Sequence, residues 1–292
     1  MAQIREIKKR MIAVRTIQRI TKTMQMIATA KFTASLQRAK STRPYTERIR
    51  ALVTEVAAAS GDATSPLLAT RSPQAGRPLR ELVLVVTSDR GLCGAYNGSV
   101  LRAAAVEIRR RRGNGHEIIV ETAGKKAAAY FRFQKVDVAQ RHAFGDKPAF
   151  EAIAALADRY MADFVSGKID AVHVAYTRFV SAARQVPEVM QLLPLSLDSA
   201  TQSKGATSVY EFRPSAEVIL NDLLPRSVRV SLFQAMNDAI VSENVMRMVA
   251  MKAATDNAGG LGRTLKRNYN RARQAKITTE LTEIVSGAAA LE

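Results

Sequence analysis

Residues 4–27, IREIKKRMIAVRTIQRITKTMQMI, carry the pattern that decides the fold. Apolar residues recur there at every third or fourth position, which is typical of one face of an amphipathic helix. They are Ile4, Ile7, Met11, Val14, Ile17, Ile20, Met24 and Ile27. The other faces are basic, since residues 1–50 contain 13 Lys or Arg and only Glu6 and Glu47 as acids. The pattern predicts one long helix over 1–60, with Pro44 at a kink or near a break.

The other end of the chain has a similar pattern, and the 67 residues after Pro225 contain no proline. Its apolar seam comprises Val228, Leu232, Met236, Ile240, Val245 and Val249, then Leu265, Tyr269, Ala272 and Ala275. Pro225 is expected to interrupt or start this helix, and Gly259, Gly260 and Gly262 to weaken it by up to about 1 kcal/mol each. About 65 helical residues would span roughly 95 Å, more than a globular domain needs. The sequence therefore predicts a second long helix over 215–292, paired with the first as an antiparallel coiled coil.

Between these helices, residues 80–208 alternate between short apolar runs and helical patterns. Strands are predicted at 82–87 (LVLVVT), 117–122 (EIIVET) and 136–139, helices at 99–112, 125–133 and 148–166, and a hairpin at 171–180 and 186–195. Loops are predicted at 61–78 and 198–208. Strands that alternate with helices indicate a Rossmann-like α/β domain with a mainly parallel sheet.

Composition excludes several classes of protein. The chain has 292 residues, 47% of them hydrophobic, which is enough for a sizeable core. It has no uninterrupted apolar run of about 18 residues, so no membrane span is expected. A single cysteine excludes an internal disulfide. The three histidines, His116, His142 and His173, have no metal-ligand spacing, so no metal site is expected.

The net charge of +18 implies an acidic partner. Aromatic residues make up only 5% of the chain and tryptophan is absent, so the chain offers few side chains on which nucleic-acid bases could stack. The charge pattern therefore favours a protein partner over nucleic acid, although a basic coiled coil that binds nucleic acid remains an alternative. Such a protein would bind duplexes tightly and lose affinity steeply with salt.

The segment Ser88–Gly94, SDRGLCG, follows an apolar strand and opens a helix, where a phosphate-binding turn would lie. It matches neither of the common glycine-rich phosphate motifs, so a structural strand-to-helix turn is the favoured interpretation. A nucleotide-dependent α/β enzyme is the alternative. Cys93 is expected to be a small buried residue rather than a nucleophile.

Three stretches, taken together, resemble the γ subunit of the rotary F-type ATP synthase. They are ITKTMQMIATAK at 20–31, SDRGLCG at 88–94 and NRARQAKITTELTEIVSGAAAL at 270–291. The last contains the family's signature, Ile277-Thr278-x-Glu280-x-x-Glu283-x-x-x-Gly287-Ala288-x-Ala290. Thr23 and Gln25 depart from the family pattern, which has a small residue and often a charge there.

The resemblance implies a shaft that turns inside a hexamer of α and β subunits, with the α/β domain beside the ε subunit and on the membrane ring of c subunits. Proton flow through the ring would then drive ATP synthesis on β, and the chain itself would contribute no catalytic residue, cofactor or metal. By similarity, Lys22, Met24 and Gln25 meet acidic β loops, and Arg273, Gln274, Thr278 and Glu280 meet the hexamer higher up. Leu281, Ile284, Val285 and Ala288 would lie in an apolar sleeve at the top.

The resemblance also implies ATP synthesis, hydrogen-ion transport and membership of the catalytic part, CF(1). The start, MAQIREIKKRM, has no signal-peptide hydrophobic region and no evident transit peptide, so a bacterial origin is expected. The resemblance then implies a peripheral protein on the cytoplasmic face of the inner membrane. The matrix side of the mitochondrial inner membrane is the alternative. One copy per complex is expected, and the coupling ion, proton or sodium, is decided in the ring.

Overall fold

The computed structural model describes residues 2–59, 65–71, 77–196 and 215–289. The loop predicted at 198–208 lies outside the described residues. The helices are α1 Ala2–Ala59, α2 Tyr96–Gly113, α3 Lys125–Phe133, α4 Phe150–Val165 and α5 Ala216–Ala289. The strands are β1 Arg80–Val86, β2 Glu117–Ala123, β3 Val138–His142, β4 Ala171–Phe179 and β5 Gln185–Leu193. The predicted α/β fold with long terminal helices is therefore confirmed.

The five strands form one sheet in the order β3-β2-β1-β4-β5. Four of them are parallel, and only β5 runs antiparallel, as the second strand of a hairpin with β4. β1 lies at the centre, where Leu82, Leu84 and Val86 face one layer of helices and Val83 and Val85 face the other. This two-sided burial explains why β1 is apolar at consecutive positions instead of alternating with polar residues.

Each face of the sheet packs against its own helices. α2 and α3 cover one face through residues such as Val100, Ala104 and Phe131. α4 covers the other face together with the second half of α1 and the first half of α5, through Ile153, Val53 and Leu224 among others. The terminal helices therefore contribute directly to the core of the α/β layers.

The residues group into two compact units, one of residues 1–30 and 247–292 and one of residues 31–246. α1 and α5 contribute to both units, so these boundaries follow packing rather than secondary structure. Pro44 and Pro225 lie inside α1 and α5. Pro225 neither starts nor ends its helix, which begins at Ala216. No described helix is long and apolar enough to cross a membrane.

Glu81, on β1, is a buried carboxylate that the sequence analysis did not single out. One of its oxygens accepts a hydrogen bond from Arg111 of α2 and lies 3.2 Å from His173 Nε2 of β4. His116 Nδ1 lies 2.7 Å from the other oxygen. Burial opposes ionisation, but the hydrogen bonds and charges of His173 and Arg111 outweigh it and lower the pKa of Glu81 to about 2.

Glu121, on β2, is a second buried carboxylate and lies on the opposite face of the sheet. Its Oε2 atom accepts hydrogen bonds from Arg159 at 2.6 Å and Tyr160 at 2.8 Å, and lies 2.7 Å from His142 Nε2. Burial again opposes ionisation, and these partners lower the pKa of Glu121 nevertheless. The three histidines thus lie beside buried glutamates, and no group of three or more His, Cys, Asp or Glu among the described residues is placed to hold a metal ion.

Candidate functional site

In the unit of residues 1–30 and 247–292, α1 carries a regular heptad seam. Its buried and half-buried residues follow one another in alternating steps of three and four: Ile4, Ile7, Met11, Val14, Gln18, Thr21, Gln25 and Ala28. Such spacing averages 3.5 residues per turn and keeps the seam on one face of a supercoiled helix. α1 therefore pairs as the coiled-coil prediction requires, but through a different set of residues.

The facing seam of α5 also alternates in steps of three and four. It comprises Met251, Thr255, Ala258, Gly262, Leu265, Tyr269 and Ala272. A β-carbon on Gly262 would lie 4.0 Å from Val14 Cγ1, and one on Gly259 would lie 2.9 Å from Gln18 Nε2. Gly259 and Gly262 therefore face α1, where a β-carbon on Gly262 would make an ordinary van der Waals contact and one on Gly259 would displace the end of the Gln18 side chain.

A polar layer interrupts the apolar seam near its middle. Thr255 Oγ1 lies 2.8 Å from Thr21 Oγ1 and 2.8 Å from the Met251 carbonyl oxygen. Thr21 Oγ1 donates to the Gln18 carbonyl oxygen at 3.1 Å. The Thr21–Thr255 hydrogen bond favours this register of the two helices, because a slip would break it while the bonds to the Gln18 and Met251 carbonyls stay within their own helices.

The structure corrects the predicted seam at Ile17, Ile20 and Ile27, which are exposed rather than buried. Ile17 and Ile20 are each 52% exposed. Because a step of three residues falls about 60° short of a full helical turn, the two steps from Val14 through Ile17 to Ile20 place Ile20 about 120° around the helix from Val14, away from the partner helix. On α5, Val249 and Ala275 are likewise exposed, not buried as predicted.

The exposed isoleucines form a second apolar line along α1, which we call the outer stripe. It comprises Ala13, Ile17, Ile20, Met24 and Ile27, again in alternating steps of four and three. Met24 is half-buried and the other four are exposed. A continuous apolar line that no described residue covers is typical of an interaction surface.

The three predicted contact residues on α1 lie on different faces of the helix. Met24 belongs to the outer stripe and Gln25 to the seam, where both are half-buried, whereas Lys22 is exposed. A single flat partner surface therefore cannot contact all three equally. Met24 and Gln25 are therefore each partly covered within the chain, and Lys22 is the exposed one of the three.

The end of α5 extends beyond its pairing with α1. The helices run antiparallel, with Val14 opposite Gly262, Gln18 opposite Gly259 and Thr21 opposite Thr255. Continuing this pairing, the start of α1 lies opposite about residue 275 of α5. The residues of α5 beyond that point have no α1 residue opposite them. All the predicted contact residues of this segment are exposed, namely Arg273, Gln274, Thr278, Glu280, Leu281, Ile284, Val285 and Ala288. Glu280 forms an ion pair with Lys276 at 3.1 Å.

The apolar residues at this end are unusually accessible for their size. Ile284 and Val285 are each 67% exposed, and Leu281 is 57% exposed. Burying such side chains stabilises an association by about 1–2 kcal/mol each. The segment from Lys276 to Ala288 is therefore a second apolar surface that no described residue covers.

The unit is also strongly basic. Residues 2–30 and 247–289 contain 15 Lys or Arg and four Asp or Glu. Two of the acids are already paired, Glu6 with Arg10 and Glu280 with Lys276. A partner surface with acidic groups beside apolar ones would complement both the charge and the exposed side chains.

The segment Ser88–Gly94 is a structural turn whose polar groups are used internally. Asp89 Oδ1 accepts a hydrogen bond from the Lys125 backbone N–H at 3.0 Å, and Thr87 Oγ1 accepts one from Ala127 N–H at 2.9 Å. The Ser88 carbonyl accepts from Lys126 N–H at 3.2 Å. Together they cap the first turn of α3, whose N–H groups are therefore bonded within the fold.

The remaining side chains of this turn support the same interpretation. Cys93 is buried, and its sulfur lies 3.1 Å from Asn97 Nδ2. Asn97 Oδ1 accepts a hydrogen bond from the Ser88 N–H at 3.0 Å. The prediction that Cys93 is a small buried residue is therefore confirmed.

Comparison with known proteins identifies the family. A family model described as ATP synthase matches residues 3–291. The ATP synthase gamma chain of Rhodopirellula baltica is 41% identical over 299 residues, with 100% of both chains covered. The gamma chain of Glaesserella parasuis is 38% identical over 294 residues, again with 100% of both covered.

Solved structures share the fold at lower identity. A chain of the Euglena gracilis mitochondrial ATP synthase aligns with a TM-score of 0.66 and 20% identity, covering 99% of this chain and 95% of that one. A central-stalk chain of the Tetrahymena thermophila enzyme aligns with a TM-score of 0.58 and 24% identity, covering 80% and 99%. From the family match and the identity to full-length relatives, the chain belongs to the ATP synthase gamma chain family.

Proposed function

We propose that this chain is the rotating central shaft of an F-type ATP synthase. The unit of residues 1–30 and 247–292 inserts into a hexamer of alternating α and β subunits, and the α/β layers contact the ε subunit and the ring of c subunits. Proton flow turns the ring and the shaft together. Because the shaft is asymmetric, it holds each β subunit in a different conformation and so couples proton flow to ATP synthesis or hydrolysis.

The observation that carries this proposal is the pair of uncovered apolar surfaces on the basic coiled coil. The outer stripe exposes large apolar side chains along a helix that is paired with α5, and the segment from Lys276 to Ala288 exposes them where α5 has no α1 residue opposite it. Exposed apolar lines of this length favour burial against a partner. A hexamer that surrounds the coiled coil covers both surfaces at once.

The chemistry of the surface suits contacts that are repeatedly made and broken. Its cations are mostly exposed, and exposed ion pairs contribute only about 0–1 kcal/mol each. Three equivalent β subunits meet the same shaft in turn, so weak and interchangeable contacts allow rotation where deep ones would arrest it. Methionine at position 24 adds a flexible side chain that adapts to different neighbours.

We further propose that the chain has no catalytic residue and binds no cofactor or metal of its own. This proposal is supported by the structural role of the turn Ser88–Gly94, in which the Asp89 carboxylate and the Ser88 carbonyl cap the first turn of α3. ATP is then made and hydrolysed on the β subunits alone. One copy works at the cytoplasmic face of the bacterial inner membrane, held there by the complex.

The test is assembly with α and β subunits from the same source, followed by gel filtration. We expect one copy of this chain to co-elute with three of each subunit, and ATP hydrolysis to rise above that of the α and β subunits alone. The same mixture at increasing salt separates this proposal from a nucleic-acid binder. Failure to assemble, together with salt-sensitive binding to duplex DNA, would overturn the proposed function.

A further inference from the structure

Phe133, the last residue of α3, is 83% exposed. Phe131, two residues earlier, is buried against the sheet, so Phe133 points from nearly the opposite side of the helix. An uncovered phenyl ring forgoes the stabilisation that burial would supply. Nothing in the coiled-coil role of the chain uses this side chain, which belongs to the unit of residues 31–246.

Four exposed cations lie toward the carboxyl ends of α2 and α3, and together with Phe133 we call them the basic corner. They are Arg109 and Arg112 at the end of α2, and Arg132 and Lys135 at the end of α3. Arg109 Nε donates only to the Ala105 carbonyl of its own helix, at 3.3 Å. The side chains of Arg112, Arg132 and Lys135 make no ion pair or hydrogen bond with any residue that the structure describes.

The topology brings the ends of these two helices together. α2 leads directly into β2 and α3 into β3, and β2 and β3 are parallel neighbours in the sheet. The two helices contact each other in one layer, where neighbouring axes lie about 10 Å apart. The four cations and the ring therefore occupy one corner of the helical layer.

Acidic residues near the basic corner do not neutralise it. Glu107 is held by Arg110 and Arg111, and Glu117 pairs with Arg80 at 3.3 Å. Asp137 is the remaining exposed acid near the start of β3. The helix dipole stabilises cations at the carboxyl end of a helix, which explains why arginines occur there. It does not explain the exposed phenyl ring of Phe133.

We propose that the basic corner binds an anionic lipid surface, with Phe133 inserted among the head groups. A protruding aromatic ring surrounded by cations of one sign is the combination that binds a negatively charged membrane interface. A protein partner would have to supply a pocket for the ring as well as acidic groups. The proposal goes beyond the shaft function and does not depend on it.

The experiment uses the absence of tryptophan from the chain. In the full chain, Phe133→Trp introduces a single tryptophan whose emission reports whether that position enters an apolar environment. We expect a blue shift with vesicles of phosphatidylcholine and phosphatidylglycerol, and none with phosphatidylcholine alone. Phe150→Trp is the matched control, because Phe150 opens α4 on the opposite face of the sheet.

Charge variants made in the Phe133→Trp background locate the electrostatic contribution. Each basic residue near an anionic membrane contributes about 1 kcal/mol to binding. The double variant Arg132→Gln and Lys135→Gln should therefore need about 30-fold more lipid to produce the same shift. Lys125→Gln with Lys126→Gln removes the same charge from the other end of α3 and should raise this lipid requirement less than about threefold.

Three results would overturn the proposal. Equal shifts at positions 133 and 150, or equal losses in the two double variants, would mean that the basic chain adheres to anionic vesicles without using this corner. No shift at position 133 would mean that the ring does not enter the membrane. A shift produced by partner subunits without lipid would assign the corner to an acidic protein surface instead.

Discussion

Replacing Ile17 and Ile20 together by serine separates the outer stripe from the coiled-coil seam. Each isoleucine is 52% exposed, so about half of each side chain remains to be buried by a partner. Complete burial of isoleucine contributes about 2–3 kcal/mol, so the pair should contribute about 2–3 kcal/mol to association. The double variant should therefore bind the hexamer of α and β subunits about 30- to 150-fold more weakly.

The same substitutions should leave the free chain almost unchanged in stability. Isoleucine and serine have similar helix propensities, and neither side chain packs in the seam. Val14→Ser is the matched control, because Val14 faces Gly262 in the seam and its replacement should lower the melting temperature of the chain. The assays are thermal unfolding by circular dichroism and titration of the labelled chain with the hexamer.

Two results would refute this reasoning. If the Ile17→Ser and Ile20→Ser double variant bound the hexamer as the natural chain does, the outer stripe would not be the contact surface. If the double variant melted as early as Val14→Ser, both isoleucines would belong to the seam, as their spacing in the sequence first indicates.

Four further predictions concern single positions. Met24→Lys adds a cation to the outer stripe beside the proposed acidic loops, and should impair ATP synthesis in membrane vesicles more than ATP hydrolysis; equal effects on both would contradict the proposed contact. Gly124→Ala should destabilise the chain by about 3 kcal/mol or more, because Gly124 has φ +105° and a β-carbon would lie 2.1 Å from the Thr87 carbonyl oxygen. Gly98→Ala, in open space on α2, should instead stabilise by about 0.5–1 kcal/mol in urea unfolding. The pKa of Glu81 is about 2 in the folded chain and 4.5 ordinarily. The ionised carboxylate therefore stabilises the folded chain above pH 4.5, and this stabilisation should be lost as the pH falls toward 2. Urea unfolding midpoints should fall over this pH range, and the fall should be smaller in Glu81→Gln.

Patterns that depend on local sequence could be predicted well. The apolar run in β1 identifies a strand buried on both faces, because consecutive β-branched and aliphatic residues fit no half-exposed strand. The helix predicted at 125–133 has those bounds in the structure. The order of strands and helices was sufficient to predict the parallel sheet.

The residues that form the seam could not be predicted from hydrophobicity alone. Gln18 and Thr21 are polar, yet they occupy seam positions because their layer is completed by Thr255 and Gly259 from the other helix. Ile17 is apolar but lies outside the seam. A strict heptad count would have located the seam, and only the structure shows which apolar line is left uncovered.

The buried glutamates were missed for a related reason. A charged residue in a strand suggests exposure, but Glu81 and Glu121 are buried with partners distant in sequence. Arg111 lies 30 residues from Glu81, and Arg159 lies 38 residues from Glu121. Only the packing of α2 and α4 on opposite faces of the sheet brings these charges together.

The most direct test of the shaft function is to observe rotation. The hexamer of α and β subunits is fixed to a surface, and a bead is attached to this chain through Val106→Cys, an exposed position on α2, after the buried Cys93 is replaced by serine. With ATP added, the account predicts rotation in one direction with three pauses in each turn, one for each β subunit. A bead that stays still or turns equally in both directions, on complexes that hydrolyse ATP, would contradict it.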